Sequence, residues 1–115
     1  MLAVLWELYP GHPNLLPAYL DGPRELAGTT GFVAKPLLGR EGAGVSVHPP
    51  GATPPGPAAD DALCYQALAP LPQFDGNRTV LGAWVVDGEP AGLGIRESGG
   101  LVTDGYARFA PHVIR

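Results

Sequence analysis

Prolines and glycines do most to limit what this chain can form. They number 14 and 17 of 115 residues, about a quarter of the chain, and they fall unevenly. Inside a helix a proline removes an N–H and clashes with the preceding turn; inside a sheet it removes a ladder bond. "PGHP" at residues 10–13, Pro17, Pro23 and Pro36 leave a short, poorly helical front end. The stretch "PPGATPPGPAADD", residues 49–61, can support neither a ladder nor a helix and is expected to be a mobile loop.

Between the breakers the pattern changes along the chain. Residues 2–9 are an apolar run that ends at the double breaker and stays open between helix and strand. "NLLPAYLDG" predicts a brief helix with Asn14 as N-cap and Gly22 as the stop. "PRELAG" predicts another turn or two with Pro23 at the first helical position. From Gly31 the signal is for strands. "GFVAKP" is a strand ended by Pro36, and "GVSVHP" alternates Val45 and Val47 against Ser46 and His48, so one face is expected to be buried. "ALCYQALAPL" reads as a strand covered on both faces. "DGNRT" is a turn, and "TVLGAWVVDGEPAGLGIRE" is a hairpin turning at "DGEP". The tail "YARFAPHVI" is expected to pack back on the sheet. The fold class is therefore α+β: a mostly antiparallel, strand-rich sheet with a few short helices. So little cover at the front end suggests a single partial domain over residues 1–115, part of a larger fold.

Several functions are excluded by composition. The net charge is −4, with 16% charged and 45% hydrophobic residues. That balance suits a packed chain and supplies no basic patch for nucleic acid. No run of about 18 apolar residues exists, so no membrane span is expected. Glu7 and the missing basic leader argue against a secretory signal. Cys64 is the only cysteine, so no intrachain disulfide can form, and the cytoplasm is the expected compartment. His12, His48 and His112 are far apart and each adjoins a proline. No metal-ligand spacing is present, so no metal site is expected of this chain. Ser46 and Ser98 lack the context of an activated nucleophile.

The chemistry candidates gather around one residue type. Lys35 is the only lysine, against six arginines, and it opens "KPLLGREGAG". Gly39, Gly42 and Gly44 surround Arg40 and Glu41, and glycines let backbone N–H groups converge on an anion. An ammonium just before such a loop can bring a point charge to the same phosphate. The spacing is not that of a P-loop. A flexible hairpin loop with a strand-end lysine is the more ordinary reading, and a GC-rich genome would also leave few lysines. Arg96, at a strand end in "GLGIRES", can clamp a phosphate or carboxylate, or can pair with Glu97 or Glu89. Gln66 is either a polar group in a cleft or a routine strand residue, and Asp75 before Gly76 reads as turn chemistry.

In their order along the chain, "LWELYPGHPNLLPAYLDG", "KPLLGREGAGV", "YQALAPLPQFDGN", "LGAWVVDGEPAGLGIRES" and "DGYARFAPHVI" resemble the C-terminal part of the glutathionylspermidine synthase family, of the ATP-grasp type. The resemblance implies an ATP-grasp-like sheet and a ligase that phosphorylates a carboxylate with ATP, after which an amine attacks the acyl phosphate. It implies ATP and Mg as cofactors, the magnesium ligands being expected from outside this chain, with a glutathione-like acid and a polyamine-like amine as substrates. Lys35 resembles the lysine that contacts the nucleotide phosphates, with Gly39, Gly42 and Gly44 beside it. Arg40 resembles a mobile arginine that closes over the acyl phosphate, and Arg96 one that stabilises the transferring phosphoryl group. Gln66, Ala67 and Leu68 resemble the segment that receives adenine. The family's magnesium carboxylates and glutathione-binding residues have no match here. Two readings follow: a ligase segment inactive without a separately encoded N-terminal portion, or a non-catalytic relic or interaction module that keeps the sheet.

Overall fold

The computed structural model describes residues 1–53 and 62–113. The chain divides into two compact units, Met1–Ala69 and Pro70–Arg115. Each carries one four-stranded antiparallel sheet, so the strands expected of a single sheet are shared between two. The α+β class holds: eight strands accompany one short α-helix and one 3₁₀ turn among the described residues.

The first unit begins with helix α1 (Leu2–Leu8), which resolves the ambiguous apolar run. Its sheet has the order β1-β4-β2-β3, with β1 Ala18–Tyr19, β2 Phe32–Pro36, β3 Ser46–His48 and β4 Leu63–Ala67. Strand β2 alternates: Phe32 and Ala34 are buried, while Val33 and Lys35 are half-buried. Phe32 and Ala34 join Leu26 and Ala67 in the main core, flanked by Tyr19, Leu63 and Tyr65. On the other face Ala18 and Cys64 meet Ala3 of α1. Strand β4 is thus covered on both faces, as its apolar sequence predicts, with Ala67 buried on one side and Cys64 on the other.

Three local expectations are corrected. No helix forms over "NLLPAYLDG". Pro17 lacks an N–H, and the residues after it pair with β4 instead, Ala18 opposite Gln66 and Tyr19 opposite Tyr65. The Pro17 carbonyl accepts from the Ala67 N–H at 2.9 Å. Asn14 caps nothing; its backbone N–H donates to His12 Nδ1 at 3.2 Å. Pro23 is the N-cap of a single 3₁₀ turn, η1 (Arg24–Ala27), rather than its first residue. In β3, where one face was expected to be buried, Ser46, Val47 and His48 are all half-buried. His48 lies opposite Phe32 in register, and their rings stack at 4.5 Å and 10°. Aromatic stacking half-buries His48, and Val47 is half-buried on the other face, opposite Val33. The head of the proline-rich stretch is a turn tied back to η1, Gly51 N–H donating to Ala27 O at 2.7 Å. The rest of that stretch, residues 54–61, lies outside the described residues.

The second unit is built on a long hairpin, β6 (Asn77–Val86) and β7 (Glu89–Ser98), with the short β5 (Gln73–Phe74) and β8 (Arg108–Phe109) at its base. Both tight turns are Asp-Gly pairs with positive φ at each position, 47° and 82° at Asp75–Gly76, 50° and 80° at Asp87–Gly88. That is the type I′ geometry, whose twist matches the flanking strands. Pro90 belongs to β7, opposite Val85, rather than to the turn. The tail packs back as expected, Phe109 pairing with Arg96.

Gly31 is where the first unit depends most on a missing side chain. Its φ is +76°, and a Cβ there would lie 2.6 Å from the His48 carbonyl oxygen. Gly31 also donates its N–H to Leu26 O at 2.9 Å and accepts from Leu68 N–H at 3.1 Å. Gly31→Ala is therefore expected to destabilise the chain by about 1–3 kcal/mol in urea unfolding. Gly99→Ala, where nothing lies within 4 Å, is the neutral control. Equal midpoints for the two variants would contradict the packing described.

Candidate functional site

Strand register brings the lone lysine to its partner. Val33 lies opposite Gln66 and Lys35 opposite Cys64, so Lys35 and Gln66 are diagonal neighbours on one face. The Lys35 ammonium donates to Gln66 Oε1 in a half-buried hydrogen bond. This contact restrains a side chain that would otherwise lose about 2 kcal/mol of rotamer entropy on binding a ligand.

The β2–β3 loop folds over beside it as a chain of tight turns. Gly39 N–H donates to Pro36 O at 3.4 Å, Ala43 N–H to Arg40 O at 2.9 Å and Val45 N–H to Gly42 O at 3.2 Å. A cleft of about 140 Å³ is lined by Lys35, Gly39, Arg40, Glu41 and Gly42 among others. Four of the residues singled out in the sequence thus meet in one place. Gly44 does not line this cleft; a Cβ there would lie 2.8 Å from Pro36 Cγ, so its role is close packing. Arg40 is exposed and its side chain has no hydrogen-bond or ion-pair partner among the described residues. Glu41 sets a negative charge in the same cleft, which the two cations outnumber.

The adenine-segment residues are placed differently. Gln66 is half-buried, Ala67 is in the core, and Leu68 follows it. The N–H groups of Ala67 and Leu68 are already paired, with Pro17 O and Gly31 O. Neither is a spare donor.

Arg96 belongs to the second unit. Its Nη2 donates to Asp104 O at 2.8 Å, and its guanidinium lies 5.6 Å from the Phe109 ring centroid. Its Nε is shielded and has no partner among the described residues. The ion pairs considered for it are not formed: Glu97 binds Arg108 instead, at 3.3 Å. Among the described residues, no group of three or more His, Cys, Asp or Glu is placed to hold a metal ion, and no helix is long and apolar enough to cross a membrane.

Two arrangements were not visible in the sequence. Ser46 Oγ and His48 Nε2 are 2.8 Å apart, a strand i, i+2 pair. Under α1, a hollow of about 430 Å³ is lined by Trp6, Glu7, Tyr19, Asp21 and Arg24 among others. Arg24 forks onto Asp21 at 3.0 and 2.8 Å and covers the Tyr19 ring at 4.4 Å. The Tyr19 hydroxyl donates to Glu25 Oε1 at 2.5 Å.

These contacts shift ionisation in opposite senses. The hydrogen bond from Tyr19 holds the Glu25 carboxyl below its ordinary range, and the same bond, with some burial, raises the Tyr19 hydroxyl. Hydrogen bonding to Arg24 lowers Asp21. A lowered folded-state carboxyl contributes stability above its unfolded value and loses it as pH falls through the folded one. A raised tyrosine contributes below its unfolded value and loses it as pH rises through the folded one. The Tyr19–Glu25 bond should therefore matter most near neutrality and fade at both ends. Urea unfolding of wild type and Tyr19→Phe at acid, neutral and alkaline pH checks this, and a gap independent of pH would contradict it.

The whole chain, residues 1–115, matches the family model described as "Glutathionylspermidine synthase preATP-grasp". It is 39% identical over 124 aligned residues to a Haemophilus influenzae protein named "Putative acid--amine ligase", covering 97% of this chain and 31% of that one. It is 30% identical over 117 residues to the "Trypanothione synthetase" of Crithidia fasciculata, covering 96% of this chain and 17% of that one. The similarity is thus to proteins named as ligases and synthetases, of which the chain spans a third or less. The chain belongs to the glutathionylspermidine synthase preATP-grasp family.

Proposed function

We propose that this chain supplies nucleotide-phosphate contacts, as the C-terminal part, to an ATP-dependent ligase that joins a carboxylate to an amine. The single observation that carries the reading is the lone lysine, hydrogen-bonded to Gln66 at the rim of a glycine-loop cleft that also holds Arg40. ATP would supply the phosphoryl group that converts the carboxylate to an acyl phosphate, which the amine then attacks to give an amide, ADP and phosphate.

The residues of this chain have separable tasks in that scheme. Lys35 offers a compact ammonium already oriented by Gln66, suited to a phosphate oxygen as a point charge. Gly39 and Gly42 keep side chains out of the approach to that oxygen. Arg40, exposed and without a partner among the described residues, is able to swing over the bound phosphate. Arg96, whose guanidinium has no carboxylate partner among the described residues, keeps a full positive charge to set against developing charge on a phosphoryl group. The paired N–H groups of Ala67 and Leu68 leave the base to be read by other groups of that segment. No group among the described residues is placed to hold magnesium, and this reading assigns its ligands to residues outside this chain. A glutathione-like acid and a polyamine-like amine remain the substrate classes, and the cytoplasm the compartment, that this reading favours.

The test is a titration of the isotopically labelled chain with ATP, ADP and adenosine, read by backbone amide shifts. ATP should move Lys35, Gly39, Gly42 and Gln66 saturably, and adenosine should move them far less. Lys35→Ala should weaken ATP about tenfold or more, the scale of one charge-assisted hydrogen bond. Lys35→Arg should recover only part of this, because a planar fork replaces a compact ammonium. Shifts scattered over both units, or unchanged by Lys35→Ala, would sink the assignment.

A further inference from the structure

The glycine loop has two ends, and they are held differently. At the front it leaves β2 at Pro36, beside Lys35 and within the ladder that β2 shares with β4. At the back it enters β3, which has three residues and pairs with β2 at three positions. Val45, the last residue of the loop, lines the cleft with Lys35, Arg40 and Glu41. Where β3 sits therefore sets how wide that cleft is.

Backbone pairing over so few positions is a weak hold. Side chains add a second one. Register puts His48 opposite Phe32 and Ser46 opposite Ala34, on the core face. The His48 ring stacks on Phe32, which has no exposed surface. From the same ring, Nε2 reaches Ser46 Oγ at 2.8 Å. Ser46 is the first residue of β3, so a line of contacts runs from the buried Phe32 through His48 and Ser46 to the end of the loop. The His48 backbone is fixed as well, its carbonyl oxygen packed where a Cβ on Gly31 would lie 2.6 Å away.

Neither side chain belongs to the cleft. Side chains alternate along a strand, so Lys35 lies on the face opposite Phe32 and Ala34. Ser46 and His48 share the face of that second pair and do not line the cleft. They can act on a ligand there only through the position of the loop.

We propose that His48 is a positioning residue for the cleft: stacked on Phe32 and bonded to Ser46, it holds the far end of the glycine loop beside Lys35. The role rests on the phosphate reading above. The measurement is amide hydrogen exchange of the purified chain, paired with its ATP affinity. The reporters are the N–H groups of Ala43 and Val45, which close the loop's turns on Arg40 O and Gly42 O. His48→Ala should speed their exchange roughly tenfold, the upper range for one aromatic pair, and weaken ATP. Ser46→Ala and His48→Phe each remove the hydrogen bond and keep the stack or its partner ring, so each should give a smaller, equal gain. Their double variant should go no further than either, because one shared contact is lost. Ser46→Thr, which keeps the hydroxyl, should match wild type. A merely destabilised strand would instead accumulate losses in the double variant, and that additivity would overturn the proposal. A wild-type chain that binds no ATP fells the phosphate reading and this role with it. A wild-type chain that binds ATP, with Ala43 and Val45 exchanging unchanged in His48→Ala, fells this role alone.

Discussion

Phe32 has no exposed surface, and the arrangement of the first sheet follows from burying it. Its ring stacks on His48, tilts against Tyr65 at 6.0 Å and 56°, and shares a core with Leu26, Ala34 and Ala67. Burying such a side chain contributes about 1.5–3 kcal/mol. Because side chains alternate along a strand, seating Phe32 in this core turns Lys35 to the opposite face. A slip of one residue would exchange Phe32 for Val33 and drive the lysine toward the core, where an uncompensated charge costs several kcal/mol. The lysine is therefore aimed by a hydrophobic group three positions away, and pairing with β4 then supplies Gln66.

What the sequence shows best is what neighbouring residues decide among themselves. Both Asp-Gly turns, the long hairpin and the breaks at Pro23 and Pro36 are local, because φ preferences and missing N–H groups act within a few positions. Residues 14–22 were not legible in the same way. Their helical pattern loses to β4, more than forty residues later, whose backbone offers Ala18 and Tyr19 a ladder. The stacking of His48 on Phe32 was hidden for a similar reason, since alternation says that the two sides differ but not which one meets Phe32.

The candidate site divides along the same line. The lysine and the glycine loop stood out because one residue type occurs once and another recurs at short spacing. Their meeting in one cleft follows from the tight turns of residues 36–45, each closed by a near-neighbour hydrogen bond. The bond from Lys35 to Gln66 spans 31 residues and depends on register, which no local pattern records. Arg96 shows the opposite limit. Its strand position was readable, yet its neighbours, the Asp104 carbonyl and the Phe109 ring, come from a tail whose return could be foreseen only in outline.

The central claim is that the Lys35 ammonium meets a nucleotide phosphate, and the chain's composition makes that directly measurable. Lys35 is the only lysine, so an amine-acylating reagent has two targets in the purified chain, its ammonium and the Met1 amino group. Mass spectrometry can follow both rates in one sample. ATP should slow acylation of Lys35 while leaving Met1 as an internal reference, and adenosine, which has no phosphate, should slow neither. A Lys35 rate unchanged by millimolar ATP, or slowed equally by adenosine, would contradict the claim.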